Sequence, residues 1–176
     1  MKRLITFTAI LLPLFLQAQE IQQSLLGLTI GKRYTPEKVK SVLEDKYYTI
    51  AGVSIDNGNR EVSAYNISFG GFTWYSTHCV LTKKNRLACV SFQKVFEELE
   101  DTKEYTKEVY EALRGKYGEP YMSDHDFQWI DSNRMAISLF YTHAKAKNGE
   151  YLYYTILVYK NMDYYKEIEQ ASTKEL

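Results

Sequence analysis

The chain is poor in the residues that most often carry catalysis, metal binding and cross-links. Its 176 residues include two cysteines, three histidines, three prolines and nine glycines, and 22 Lys and Arg balance 22 Asp and Glu. There is no histidine pair at metal spacing, no four-cysteine set and no calcium-loop pattern, so no metal is expected. Asp124-His125-Asp126 is the one cluster with ligand chemistry, and it reads more simply as a polar loop. No Gly-x-Ser-x-Gly elbow marks a serine nucleophile, and Phe69-Gly70-Gly71-Phe72 is a tight turn and not a phosphate loop. No cofactor is expected. The even charge balance gives no long-range pull toward phosphate backbones, which argues against a nucleic-acid partner. The basic clusters Lys83-Lys84-Asn85-Arg86 and Lys145 with Lys147 read as solvated turn tips.

Long apolar runs are also scarce, with one exception at the start. Lys2 and Arg3 precede an apolar run from Leu4 to Leu16, closed by Gln17-Ala18-Gln19. A basic head, a short apolar stretch and a small residue before a polar start read as a secretory leader, cut after Ala18. Pro13 interrupts the run, which falls short of the roughly 18 apolar residues of a bilayer span. No cysteine lies near the cut to take a lipid. The expectation is a periplasmic or secreted protein with no stable membrane insertion. Residues 19–176 suit one compact domain or two small fused modules.

Behind a leader, two cysteines suggest a disulfide. Thr73 to Leu81 and Arg86 to Gln93 read as antiparallel strands about a turn near Lys84, which sets Cys79 roughly opposite Cys89. Facing residues lie about 4.5–5.5 Å apart at Cα, within the range a disulfide tolerates. Two free thiols or a redox pair are the alternatives.

Two helices stand out. Thr35-Pro36-Glu37 combines a capping hydroxyl, a first-turn proline and an acid at the positive end of the dipole. Val39, Val42, Leu43 and Tyr47 then share a face. A second helix is expected from near Asp101, with Asp101 and Glu104 as a capping pair. Its apolar face runs through Tyr105, Val109, Ala112 and Leu113, and Gly118 and Pro120 end it. The rest alternates like sheet. Asn57-Gly58 predicts a hairpin between strands at 48–55 and 60–69. Further strands are expected at 127–130, 135–142 and 151–160, with a short helix from Asp163 to about Gln170. The order is helix, four strands, helix, three strands, short helix: an α+β protein with helices packed on one face of an antiparallel sheet.

The two halves echo each other at a separation of about seventy residues. Val39 falls on Val109, Leu43 on Leu113, Ile67 on Ile137, Phe69 on Leu139 and Leu87 on Leu157. This predicts two related helix-plus-sheet modules, 19–95 and 96–176, forming one compact unit. The stretches Thr35-Pro-Glu-Lys-Val-Lys-Ser-Val-Leu43 and Tyr110-Glu-Ala-Leu-Arg-Gly-Lys-Tyr-Gly-Glu-Pro120, the latter before a strand with a Trp, carry a resemblance. The chain resembles small exported modules of the beta-lactamase-inhibitor-protein-like and outer-membrane-assembly lipoprotein (SmpA/OmlA-like) type. The resemblance covers most of residues 25–163 and rests on helix caps and sheet patterns. It implies a helical segment packed on a small antiparallel sheet, often in tandem, and a protein-binding role. It carries over no binding residue, and the missing lipidated cysteine departs from the assembly lipoproteins.

Catalysis finds little footing. His78 and Cys79 are neighbours on a strand and point to opposite faces, so they cannot form a dyad. Glu97, Glu98, Glu100 and Asp101 read as an acidic helix entrance. Tyrosine is the feature in excess, with sixteen residues. In the strand 151–160, Leu152, Tyr154, Ile156 and Val158 form one face, and Tyr151, Tyr153, Thr155 and Tyr159 the other. If helices cover the first face, the second presents tyrosines to solvent. Tyrosine offers rigid contact area with a polar tip and is enriched at interfaces. Aromatics also favour strands for packing alone. Tyr75, Tyr151, Tyr153 and Tyr159 are therefore the expected binding surface of a non-enzymatic module whose partner is another protein. The alternatives are a small-ligand or glycan binder and a self-associating envelope component.

Overall fold

The computed structural model describes residues 19–173 apart from 47–48, 57 and 124–125. The expected leader 1–18, Tyr47, Asn57, and Asp124 with His125 lie outside the described residues. Helix α1, Pro36–Glu44, starts as the sequence predicts: Thr35 Oγ1 accepts from the Lys38 N–H at 3.2 Å, and Val39 and Leu43 are buried. Before it comes a hairpin that the sequence reading missed, β1 (Ser24–Leu25) with β2 (Leu28–Thr29). Its turn holds Leu26 at φ 54° and Gly27 at φ 83°, the left-handed pair that tight hairpins need. Leucine rarely adopts that conformation. Here Leu25 and Leu28 are wholly buried on either side of it.

The remaining strands form one antiparallel sheet. They are β3 (Thr49–Asp56), β4 (Asn59–Phe69), β5 (Phe72–Leu81), β6 (Leu87–Phe96), β7 (Tyr121–Ser123), β8 (Asp126–Ile130), β9 (Met135–Lys145) and β10 (Tyr151–Asn161), with α2 (Leu99–Tyr117) between β6 and β7 and α3 (Met162–Thr173) last. The spatial order is β3-β4-β5-β6-β10-β9-β8-β7. Each half thus runs helix then four strands, and the last strands of the two halves, β6 and β10, pair at the centre over eight positions. The connectivity of the halves is alike, and the seventy-residue offset sets Val39 and Leu43 of α1 on Val109 and Leu113 of α2 and Leu87 of β6 on Leu157 of β10, but it does not carry through the middle strands. Ile67 and Phe69 lie on β4, the second strand of its half, whereas Ile137 and Leu139 lie on β9, the third of the other. The middle strands fall out of that offset because the connections between elements differ in length.

The two faces of the sheet are unequal. Thr155, Leu157 and Tyr159 of β10 lie under α2, where Thr155 Oγ1 meets Thr106 Oγ1 at 2.8 Å. That face also carries Phe92, Val90, Ile137, Leu139, Trp129 and Trp74, all in one buried cluster with Val39, Leu43, Val109 and Leu113. The sequence expectation had the helices on the Leu152–Val158 side; the packing is the reverse. Burying the stripe of Thr155, Leu157 and Tyr159 is possible because Thr155 finds hydroxyl partners and Tyr159 packs its ring against Phe69 and Phe92. Among the described residues the other face, with Ile156 and Val158 half-buried, is covered at one end by Tyr165 and Ile168 of α3.

Helix α2 begins two residues earlier than expected, at Leu99, with Glu98 at the cap and no side-chain capping bond. Asp101 and Glu104 are therefore inside the helix. Its buried stripe includes Thr102 and Thr106, which sequence reading passed over as polar; Thr106 donates to the Thr102 carbonyl at 2.7 Å. Ala112 faces solvent, and Tyr105 packs on Phe72, Trp74 and Phe96. Gly118 closes the helix at φ 82°, and its carbonyl accepts from Trp129 Nε1 at 2.8 Å, fixing β8 to the helix end.

The two cysteines are free and buried, so the expected disulfide is absent. Cys79 pairs with Val90 and Cys89 with Val80. Beside the turn, Leu81 opposes Leu87, the register that would set Cys79 against Cys89. A bulge at Ala88 then adds one residue to β6, and a one-residue shift sends the two side chains to opposite faces. In the turn, Lys83 and Lys84 are solvated as expected, but Arg86 donates to the Gly31 carbonyl at 3.1 Å and lies over the Tyr164 ring. Among the described residues no helix is long and apolar enough to cross a membrane.

Candidate functional site

Three surface features carry side-chain chemistry. The first lies beyond the N-terminus of α2, where the helix stops short of the end of β9 and β10. Tyr151, Tyr153, Tyr141 and His143 gather there around a groove of about 420 Å3 that Leu99 closes. The His143 ring lies 5.4 Å from Tyr151 and 6.1 Å from Tyr153, centroid to centroid. Tyr151 is half exposed. Glu97, Glu98 and Glu150 rim the neighbouring groove around Tyr151 and Tyr153.

The second is on the half-covered face. Cross-strand partners share a face, and the ladder places Glu61 and Ser63 of β4, Ser76 and His78 of β5, and Ser91 and Gln93 of β6 side by side. His78 Nδ1 lies 2.8 Å from Glu61 Oε1, and His78 Nε2 lies 3.2 Å from Ser76 Oγ. Ser63 Oγ donates to Glu61 Oε1 at 2.9 Å. The hydrogen bond from His78 holds the Glu61 carboxyl below its ordinary pKa, against the opposing effect of partial burial. Next to this cluster, a cavity of about 270 Å3 opens between the sheet and Tyr165 and Ile168 of α3, with Glu61, Ser91 and Cys89 on its wall. Burial pushes the Cys89 thiol up to about 12, and Cys79 higher still, so neither is a thiolate at neutral pH.

The third is an apolar cleft of about 330 Å3 between α2 and the β4–β5 turn. Phe69, Phe72, Val109, Leu113, Leu157 and Tyr159 line it, with Ala112 and Lys116 at its mouth.

The four expected tyrosines do not form one surface. Tyr151 and Tyr153 come together at the end of the sheet. Tyr75 is exposed on β5, 5.5 Å from Tyr65, and Tyr159 is 4% exposed in the core. Tyr159 is thus a correction: it lies under α2, where burial raises its hydroxyl pKa. Tyr141 and His143 were not part of the binding surface expected from sequence, although their alternation with Leu139 on β9 places them on the same face as Tyr151 and Tyr153. Glu61 with Ser76 was not legible either, because strand pairing joins them across fifteen residues. Of the acidic-histidine cluster only Asp126 is described; its Oδ2 accepts from Gln128 at 2.8 Å, and its buried Oδ1 has no partner among the described residues. Among the described residues no group of three His, Cys, Asp or Glu is placed to hold a metal. No protein family, curated protein or solved structure matches the chain.

Proposed function

We propose that the protein is an exported binding module that docks another protein through the tyrosine patch at the end of β9 and β10. The observation that carries this reading is the convergence of Tyr151, Tyr153, Tyr141 and His143 on one groove that α2 leaves uncovered. Aromatic rings with polar tips, set on paired strands, give contact area with little side-chain entropy to lose. The carboxylates of Glu97, Glu98 and Glu150 at the rim favour a partner that brings lysine or arginine to the rings. Export is supported by the leader-like first eighteen residues. The kinship with inhibitor-like tandem modules is supported by the shared plan of one helix followed by four strands in each half, and makes 19–95 and 96–176 the two modules.

The test is capture from the envelope and culture fluid of the source organism, using wild type and a Tyr151→Ala/Tyr153→Ala variant. A partner held by wild type and lost by an equally stable variant supports the reading. Retention by both variants alike, or by neither, rules the patch out.

A small-ligand reading has its own support in the apolar cleft of Phe69, Phe72 and Leu113, whose about 330 Å3 suits a small apolar molecule. Filling it with Ala112→Trp would abolish binding of an apolar fluorophore in that case and leave partner capture intact.

A further inference from the structure

We infer that Ser76, His78 and Glu61 form a nucleophile, base and orienting acid able to take a short acyl group from an activated ester. This goes beyond partner binding and does not depend on it, since the tyrosine patch lies elsewhere. It also departs from the expectation that the chain has no catalytic residues.

Recognition of such a set rests on geometry and role and not on motif or chain order. Glu61 is the hydrogen-bond partner of His78 Nδ1 at 2.8 Å, so an ionised Glu61 accepts a hydrogen bond from Nδ1–H and holds the tautomer that leaves the Nε2 lone pair free. That lone pair faces Ser76 Oγ at 3.2 Å. The Ser63 hydroxyl bonds the same Glu61 oxygen at 2.9 Å and holds the carboxylate in place. These are the nucleophile–base and base–orienter contacts that covalent catalysis requires.

An acyl transfer also needs a donor for the developing oxyanion. The backbone N–H groups here are committed to the sheet, so a side chain must serve. Gln93 stands directly across the ladder from Ser76, and its carboxamide has no hydrogen-bond partner among the described residues. Ser76 is 4% exposed and does not line the cavity of about 270 Å3, whose wall begins at Glu61 and Ser91, so only a small acyl donor can reach its Oγ. The substrate class is therefore an ester of a short carboxylic acid with a good leaving group. In the first step Ser76 Oγ bonds to the carbonyl carbon and the bond to the leaving oxygen breaks. The Oγ proton passes to His78 Nε2 and on to the leaving oxygen. Water then cleaves the serine ester by the reverse path, releasing the acid and returning the proton to Oγ.

The test uses 4-nitrophenyl acetate, with nitrophenolate release followed by peptide mass mapping of the quenched protein. The expected result is an acetyl group on the peptide containing Ser76. Release should fall by about 100-fold or more in Ser76→Ala and in His78→Ala. Glu61→Gln should lower the rate and change its pH profile, which a merely structural pair would not do. Ser76→Cys, close in size, should take the acetyl group as a thioester. An acetyl group found only on lysines, tyrosines or the N-terminus of wild type overturns the proposal. So does Ser76→Ala turnover equal to wild type. If Ser76→Ala does not fold, the wild-type map decides alone.

Discussion

Cys79 and Cys89 sit one residue out of register on neighbouring strands and therefore project from opposite faces of the sheet. The bulge at Ala88 separates them, and both thiols are buried. Mass analysis after alkylation in denaturant should find two free thiols, and native protein should alkylate far more slowly. The melting temperature should be the same with and without reductant. A loss of Tm on reduction would mean that the strands slip into the bridged register.

Tyr159 and Tyr151 belong to the same face of β10 but to different environments. Tyr159 packs between Phe69 and Phe92 under α2, whereas Tyr151 stands half exposed past the helix end. Tyr159→Ala should cost about 3–5 kcal/mol in denaturant unfolding. Tyr151→Ala should change stability by no more than about 0.5 kcal/mol. Equal costs would show that α2 does not end where it is placed.

The buried Thr106 and Thr155 hydroxyls join α2 to the sheet at 2.8 Å, with Thr102 O accepting from both. Thr155→Val keeps the shape and removes one donor. Thr106 retains its bond to the Thr102 carbonyl, so the cost should be near 1 kcal/mol. Thr106→Val together with Thr155→Val should cost less than the sum of the two single changes, as read from chemical denaturation.

Acid should weaken the protein in part through Glu61. Its folded pKa is lowered by the hydrogen bond from His78, so the unfolded chain takes up its proton first as pH falls. The contribution is complete above the ordinary carboxylate pKa, about 4.3, and is lost as pH drops through the lowered folded value. Melting curves between neutral pH and pH 3 should be less steeply pH-dependent for Glu61→Gln than for wild type.

Local signals read well from sequence. The Thr35 cap, the proline at the start of α1, Gly118 at the end of α2 and the turns at Asp131 and Asn148 all fall where their chemistry puts them. The long strands differ from expectation by a residue or two, save β6 and β9, which each run three residues further. What failed were decisions made across strands. Alternation in β10 offered two half-apolar faces, and only the threonine pair with α2 decides which is inward. The bulge at Ala88 has no local mark, because Ala88, Cys89 and Val90 are all small or apolar and all buried. The Ser76–His78–Glu61 set was invisible for the same reason: register created it. Short β1, β2 and β7 were missed because two or three residues carry no periodicity.

The pairing of β6 with β10 has a consequence for how the chain reaches this structure. The middle of the sheet is built from the fourth strand of each half, and β10 is nearly the last element made. A growing chain that has completed β3 to β6 holds the Val90 and Phe92 stripe with no neighbour on one side until α2 and three further strands have followed. Closure is therefore a late, long-range event, which makes folding slow for this size. The waiting intermediate has a bare strand edge at the place where a second chain could add itself. Swapped dimers exchanging β10 are the misassembly this topology invites.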